Sequence, residues 1–160
     1  MMKKFLNFLS KFFSAITLRL GRSKEESDTE TNSIPLSFGS FSFSNKSLQN
    51  INTCDKKLQR LFFAVLSNVD CSIISGYRNE KEQNELFLNK RTQLKWPDSN
   101  HNCYPSKAID VVPYPVLWDD EERFYKFANL VFKEAENLGI LVKWGGDWKN
   151  FPDVAHWELM

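Results

Sequence analysis

Apolar side chains at Leu58, Leu61, Phe62, Val65 and Leu66 return at helical spacing, which predicts a helix over residues 47 to about 68. Cys71-Ser72-Ile73-Ile74-Ser75 is a short β-type run closed by Gly76. Residues 80 to about 90 read as helical again. Residues 91–107 show no period, and an irregular stretch of that length inside a compact domain is unusual unless it is functional. Residues 108–112 form a second strand, stopped by Pro113 and Pro115. Asp119 with Glu122 resembles a capping box ahead of the clearest amphipathic helix, built on Phe124, Phe127, Ala128, Val131, Ala135 and Leu138 and ended by Gly139. Residues 140–144 and 155–159 are the last two strands, separated by the turn Gly145-Gly146-Asp147. They lie too close in sequence for helical crossovers. The pattern therefore predicts an α+β domain with a small, mostly antiparallel sheet and helices packed on it.

The N-terminal segment has a different pattern. Phe5, Leu9, Phe12 and Ile16 line one helical face, while Lys3, Lys4, Asn7, Lys11 and Ser14 fall opposite. Lysines interrupt every apolar run, so nothing approaches the roughly 18–20 apolar residues of a membrane span, and Lys11 breaks the uninterrupted core of a secretory signal. Residues 1–22 read as a basic amphipathic helix suited to an anionic membrane surface. Two alternatives stay open: packing of the apolar face on the domain, and an atypical export signal. Residues 23–40 are rich in Ser, Thr, Glu and Asp and read as a polar linker, leaving 41–160 as the folded domain.

Composition narrows the classes. An apolar fraction of 42%, with five tryptophans and fourteen phenylalanines, supports a genuine core. A formal charge of +1 argues against a general electrostatic grip on nucleic acid. Cys54, Cys71 and Cys103 have no CxxC spacing and suggest reduced thiols rather than a disulfide framework or structural zinc site.

The chain has two histidines, His101 and His156, each followed or preceded at short range by an aspartate. Two imidazoles and one carboxylate can hold a zinc ion with a position left for water, and a second carboxylate can then act as general base. His101, Asp110 and His156 are the candidate ligands, with Asp153 as base. Residue by residue this is weak, because most aspartates are solvated caps and a lone histidine is usually structural. Glu158 is the alternative base. Strand alternation puts it on the same face as His156, which favours an outer partner of that ligand. Cys103 lacks the electropositive setting of a nucleophilic thiol.

Ser99-x-His101, Ala108-x-Asp110 and Asp153-x-x-His156 together resemble the zinc peptidases that cut bacterial cell-wall peptides, a family of D-alanyl-D-alanine carboxypeptidases, vancomycin-resistance dipeptidases and phage L-alanyl-D-glutamate endolysins. Ser75-Gly76-Tyr77-Arg78 and Trp144-Gly145-Gly146-Asp147-Trp148 fit the same resemblance, which spans 41–159. It implies one zinc ion on His101, Asp110 and His156, with Asp153 as acid/base. Arg78 would bind a substrate carboxylate or stabilise the oxyanion, and Ser99, Glu158, Tyr77 and Trp157 would stand in the second shell or touch substrate. One departure stands out. The family pattern S-x-H-x-x-G-x-A-x-D has seven positions from His to Asp, and nine separate them here, with Cys103-Tyr104-Pro105-Ser106 replacing the Gly-containing turn.

The resemblance implies hydrolysis of a peptidoglycan stem peptide, at L-Ala–D-Glu or D-Ala–D-Ala, by a monomer made in the cytoplasm and acting at the cell wall or periplasm. Its rivals are a non-catalytic cell-wall or metal-binding module of the same fold, and a membrane-surface effector acting through residues 1–22.

Overall fold

The computed structural model describes residues 41–160. The expected helix over 1–22 and linker over 23–40 lie outside the described residues. Four helices and four strands follow in the order α1 (Asn45–Ile51), α2 (Lys56–Leu66), β1 (Cys71–Ser75), α3 (Glu80–Leu88), β2 (Ala108–Pro113), α4 (Glu121–Leu138), β3 (Val142–Trp144) and β4 (His156–Leu159). Single 3₁₀ turns stand at Asn100–Asn102 and Gly145–Asp147. The sheet order is β1-β2-β4-β3 with every pair antiparallel, so the α+β class stands.

The helix expected over 47–68 is two helices. Asp55 has extended backbone and accepts a hydrogen bond from the Lys57 amide (2.8 Å), capping α2 rather than continuing α1. The break is held from outside, because the Asp55 amide donates to the Ser106 carbonyl and the Ser106 amide to the Thr53 carbonyl. The cap of α4 is Asp120, one residue later than expected; it accepts from the Arg123 amide at 3.1 Å. Gly139 ends α4 at φ 65, a left-handed conformation that costs glycine little.

Alternation divides the sheet into two faces. Ile73, Ile109, Val111, Val142, Trp144 and Trp157 face the main core with Leu58, Leu61, Phe62 and Val65 of α2 and Phe127, Ala128 and Val131 of α4. Ala108, Asp110, His156 and Glu158 occupy the alternate positions, and Asp110 pairs in register with His156 and Ala108 with Glu158. The amphipathic helices thus cover one side and leave the candidate site residues on the other.

Two irregularities shape the β1 end. Register slips between Ile73 and Ser75, a bulge that brings Ser75 opposite Asp110 and leaves Ile74 exposed. Side chains of α1 cover the outer edge of β1: Ser47 Oγ accepts from the Ile73 amide, and Asn50 Nδ2 donates to the carbonyls of Ile73 and Ile74. Gly76 follows under close backbone approach, where a Cβ would collide with Thr53 Oγ1 and the Asn50 carbonyl. Gly76→Ala should therefore destabilise the domain by about 1–3 kcal/mol. Urea unfolding would read this as a lower midpoint at unchanged slope, and an unshifted midpoint would show that the contact relaxes freely.

Candidate metal centre

His101 comes from the first 3₁₀ turn, Asp110 from the middle of β2 and His156 from the start of β4. The Ser99 side chain caps the turn, accepting from the His101 amide at 3.3 Å, while Asn102 Oδ1 accepts from the Ser99 amide. Ser99 therefore sets the direction of the His101 backbone. The longer connection to Asp110 is absorbed in an exposed tip at Cys103–Pro105, after which buried Ser106 rejoins the domain at residues 53–55.

His101 Nε2, Asp110 Oδ1 and His156 Nδ1 stand at 3.2 Å from one another in all three pairs. Tetrahedral ligands with bonds of about 2.0–2.2 Å are separated by roughly 3.3–3.6 Å, so the donors, just inside that spacing, need move apart by only about 0.1–0.4 Å to take one small dication. Among the described residues, these form a single cluster of three buried metal-ligand types.

The surroundings fix each tautomer. His101 Nδ1 lies 2.6 Å from the Gly76 carbonyl, which only accepts, so Nδ1 carries the hydrogen and Nε2 offers its lone pair. His156 Nε2 lies 3.4 Å from Glu158 Oε2, which leaves Nδ1 facing the cluster. Glu158 is itself held by Asn100 Nδ2 at 2.7 Å and Lys143 Nζ at 3.8 Å. Asp110 turns its other oxygen to Arg78 Nη2, and Arg78 Nε donates to Ser75 Oγ at 2.9 Å.

Charge follows from this packing in the metal-free protein. Burial would raise the Asp110 pKa, but His101, His156 and Arg78 outweigh it and hold the carboxyl well below the usual range. Burial would lower His156, but hydrogen bonds to Asp110 and Glu158 raise it to about 9. The hydrogen bond to His156 brings Glu158 down to about 2. Asp153 is raised, first by burial and then by the Asp110 charge.

A cavity of about 270 Å³ opens over the cluster, lined by His101, His156, Asp153, Arg78, Trp148 and Phe151 among others. Asp153 sits in the turn before β4, where its amide donates to Gly145 O and its Oδ1 accepts from the Ala155 amide. Two expectations need correction. Trp157 is 0% exposed and packs in the core against Phe62, Trp144 and Phe132, because it alternates with the site-facing His156 and Glu158. Tyr77 meets Tyr104 edge-on and lines no part of this cavity. Sequence reasoning missed Asn100 and the Gly76 carbonyl, and named Trp148, whose ring lies 4.8 Å from that of His156, only within the Trp144–Trp148 run. Of the two missed, only Asn100 had a signal, its proximity to His101.

A sheet face that gathers three potential ligand atoms beneath an open cavity is the arrangement of a candidate metal site. The chain belongs to the family described as phage L-alanyl-D-glutamate peptidase, which it matches over residues 39–158. It is 31% identical over 112 residues to the peptidoglycan L-alanyl-D-glutamate endopeptidase CwlK of Bacillus subtilis (strain 168), covering 61% of this chain and 65% of CwlK. The chain thus spans just under two thirds of that relative's length. It is 28% identical over 119 residues to the L-alanyl-D-glutamate peptidase of Escherichia phage T5, covering 71% of this chain and 86% of that protein. The crystal structure of the Serratia marcescens L-Ala D-Glu endopeptidase ChiX matches with a TM-score of 0.65 and 28% identity, over 78% of this chain and 94% of ChiX.

Because His156 holds its proton up to about pH 9, metal must displace it. Zinc affinity of the metal-free protein should rise about tenfold per pH unit from 7 toward 9, with about one proton released at pH 7. Calorimetry in buffers of different ionisation enthalpy reads both. The same proton stabilises the metal-free fold fully below pH 6.5 and progressively less as pH rises through about 9. Affinity flat between pH 6 and 8 would show that no proton on His156 has to be displaced there.

Proposed function

We propose that the chain is a zinc-dependent peptidase hydrolysing the L-Ala–D-Glu bond of peptidoglycan stem peptides at the bacterial cell wall. The observation that carries this reading is the 3.2 Å triangle of His101, Asp110 and His156 donors in a cavity that Asp153 also lines. The names of CwlK, the phage T5 protein and ChiX all specify L-alanyl-D-glutamate and favour it over a D-Ala–D-Ala carboxypeptidase.

Zinc suits the donor set of two neutral imidazoles and one carboxylate, and when bound it supplies Lewis acidity that acidifies water and polarises a peptide carbonyl. The protein supplies the proton path and the geometry. Asp153, half-buried and with its pKa raised from the usual aspartate value by burial, takes a proton from the attacking water and returns it to the departing D-glutamyl amine. Arg78 has two donor groups engaged by Asp110 and Ser75. Its remaining N–H groups at the cavity suit the oxyanion that develops on the alanyl carbonyl. Glu158 and Asn100 keep the His156 ring oriented as the proton moves.

Asp153→Ala should retain stoichiometric zinc and lose at least about 100-fold in turnover, whereas His156→Ala should lose both. Zinc analysis alongside mass spectrometry of fragments from a defined muropeptide decides. Wild-type hydrolysis by the Asp153 variant would sink the base assignment. Zinc without release of new amino termini by the wild type would favour a non-catalytic module.

Residues 1–22 carry Lys3, Lys4, Lys11, Arg19 and Arg22 and no acid, and their role is proposed as adsorption to anionic lipid. Among the described residues no helix is long and apolar enough to cross a membrane. Flotation with anionic but not zwitterionic vesicles, lost on deletion of residues 1–35 while wall hydrolysis persists, is the expected result. Equal flotation of the deleted protein would refute the role.

A further inference from the structure

The cavity over the metal centre holds a second cation that the chemistry above leaves unused. Arg91 lines it together with Arg78. The two guanidinium groups are in different states. Arg78 is committed through Nη2 to Asp110 and through Nε to Ser75. Arg91 forms no ion pair among the described residues, where the paired cations are Arg78, Lys81, Lys126, Lys143 and the site histidines.

Arg91 is also held in place by its backbone. Helix α3 ends in a Schellman arrangement: the Lys90 amide donates to Phe87 O at 3.0 Å and the Arg91 amide to Leu86 O at 2.9 Å. Lys90 sits at φ 55 to allow it, an uncommon conformation for a residue with a Cβ. The wall beyond is tied to the same helix. Fully buried Gln83 donates through Nε2 to Leu94 O at 2.7 Å, and Asn84 Oδ1 accepts from the Trp96 amide at 3.2 Å. Arg91 therefore leaves a pinned segment, which lowers the ordering cost of using its side chain.

This inference rests on the proposed reaction. A glutamate on the amine side of the scissile bond continues the chain through one carboxyl and keeps the other free. That carboxylate would enter a cavity already lined by Asp98 and Asp153, which repel it. A guanidinium with its donor fork available offsets that repulsion and matches a carboxylate bidentately. We propose that Arg91 is the specificity-determining residue that reads the free carboxylate of the substrate glutamate, while Arg78 stays with Asp110.

The test compares two synthetic stem peptides containing L-Ala–D-Glu, with the free glutamate carboxyl left as the acid or converted to a primary amide, using the full-length zinc-loaded protein. Wild type should favour the acid by about tenfold in kcat/KM, expressed mainly in KM. Arg91→Ala should bring the ratio near one, Arg91→Glu should invert it, and Arg91→Lys should keep part of it. Arg91 is exposed, and thermal melting checks that each variant folds. An Arg91→Glu enzyme that still prefers the acid overturns the inference, as does an Arg91→Ala enzyme that slows equally on both peptides. If wild type cuts neither peptide, the L-Ala–D-Glu reading fails and this inference fails with it. Wild-type cleavage with an unaltered ratio in the variants defeats this inference alone.

Discussion

Asp110 is a carboxylate placed in the central region of a sheet whose other β2 side chains are apolar, and the site is built to keep it ionised there. Burying one charge is tolerable only when partners surround it. One oxygen meets both imidazoles and the other meets Arg78. Removing one partner of such a buried cluster costs on the order of 3–5 kcal/mol, against about 1.5–3 kcal/mol for exposing one large apolar side chain. Locally the polar cluster therefore outweighs any single core contact. The elements that bring its members together, β1, the His101 turn, β2 and β4, are held by it as much as they hold it.

The side of the sheet on which the cluster forms is decided by parity. On β4, residues 156 and 158 point to the site and 157 to the core, and register with β2 sets Asp110 beside His156 and Ile109 beside Trp157. A slip of one residue would bury the ligands in the hydrocarbon core and expose Trp157. The stacking of Trp157 on Trp144 and its edge contact with Phe62 therefore protect the geometry of the donor triangle from the opposite face. The β1 bulge makes the complementary adjustment, bringing Ser75 opposite Asp110, where it can hold Arg78.

Much of this was legible in the chain. The α4 period, the short strands and the turn glycines gave the class because each reports a local preference. With two histidines in the whole sequence, metal chemistry left little choice of imidazole ligands. The split between α1 and α2 was hidden because Asp55 acts as the cap of α2 and the break is clamped by Ser106, fifty-one residues further along the chain. The Gly76 carbonyl could not be seen at all, since every residue has one and only the fold decides which meets His101. Trp157 was misplaced by its adjacency to His156. The alternation that put Glu158 on the ligand face, carried one residue back, already sends Trp157 to the core.

The floor and the wall of the cavity obey different constraints. The floor consists of side chains on paired strands and a capped turn, where shifting one ligand disturbs the other two and the charges they balance. The wall over residues 91–98 is irregular backbone whose order depends on a few side-chain tethers, chiefly Gln83 and Asn84. Gln83 Oε1 also lies 3.5 Å from Asn102 Nδ2, and that amide donates to the Arg78 carbonyl at 3.0 Å, so one buried glutamine touches both wall and floor. A wall fastened at so few points can accept new side chains without disturbing the donor triangle, whereas changes in the floor disturb the site and the fold together. Variation in substrate preference on this scaffold is thus expected to gather in the wall, with the donor triangle unchanged beneath it.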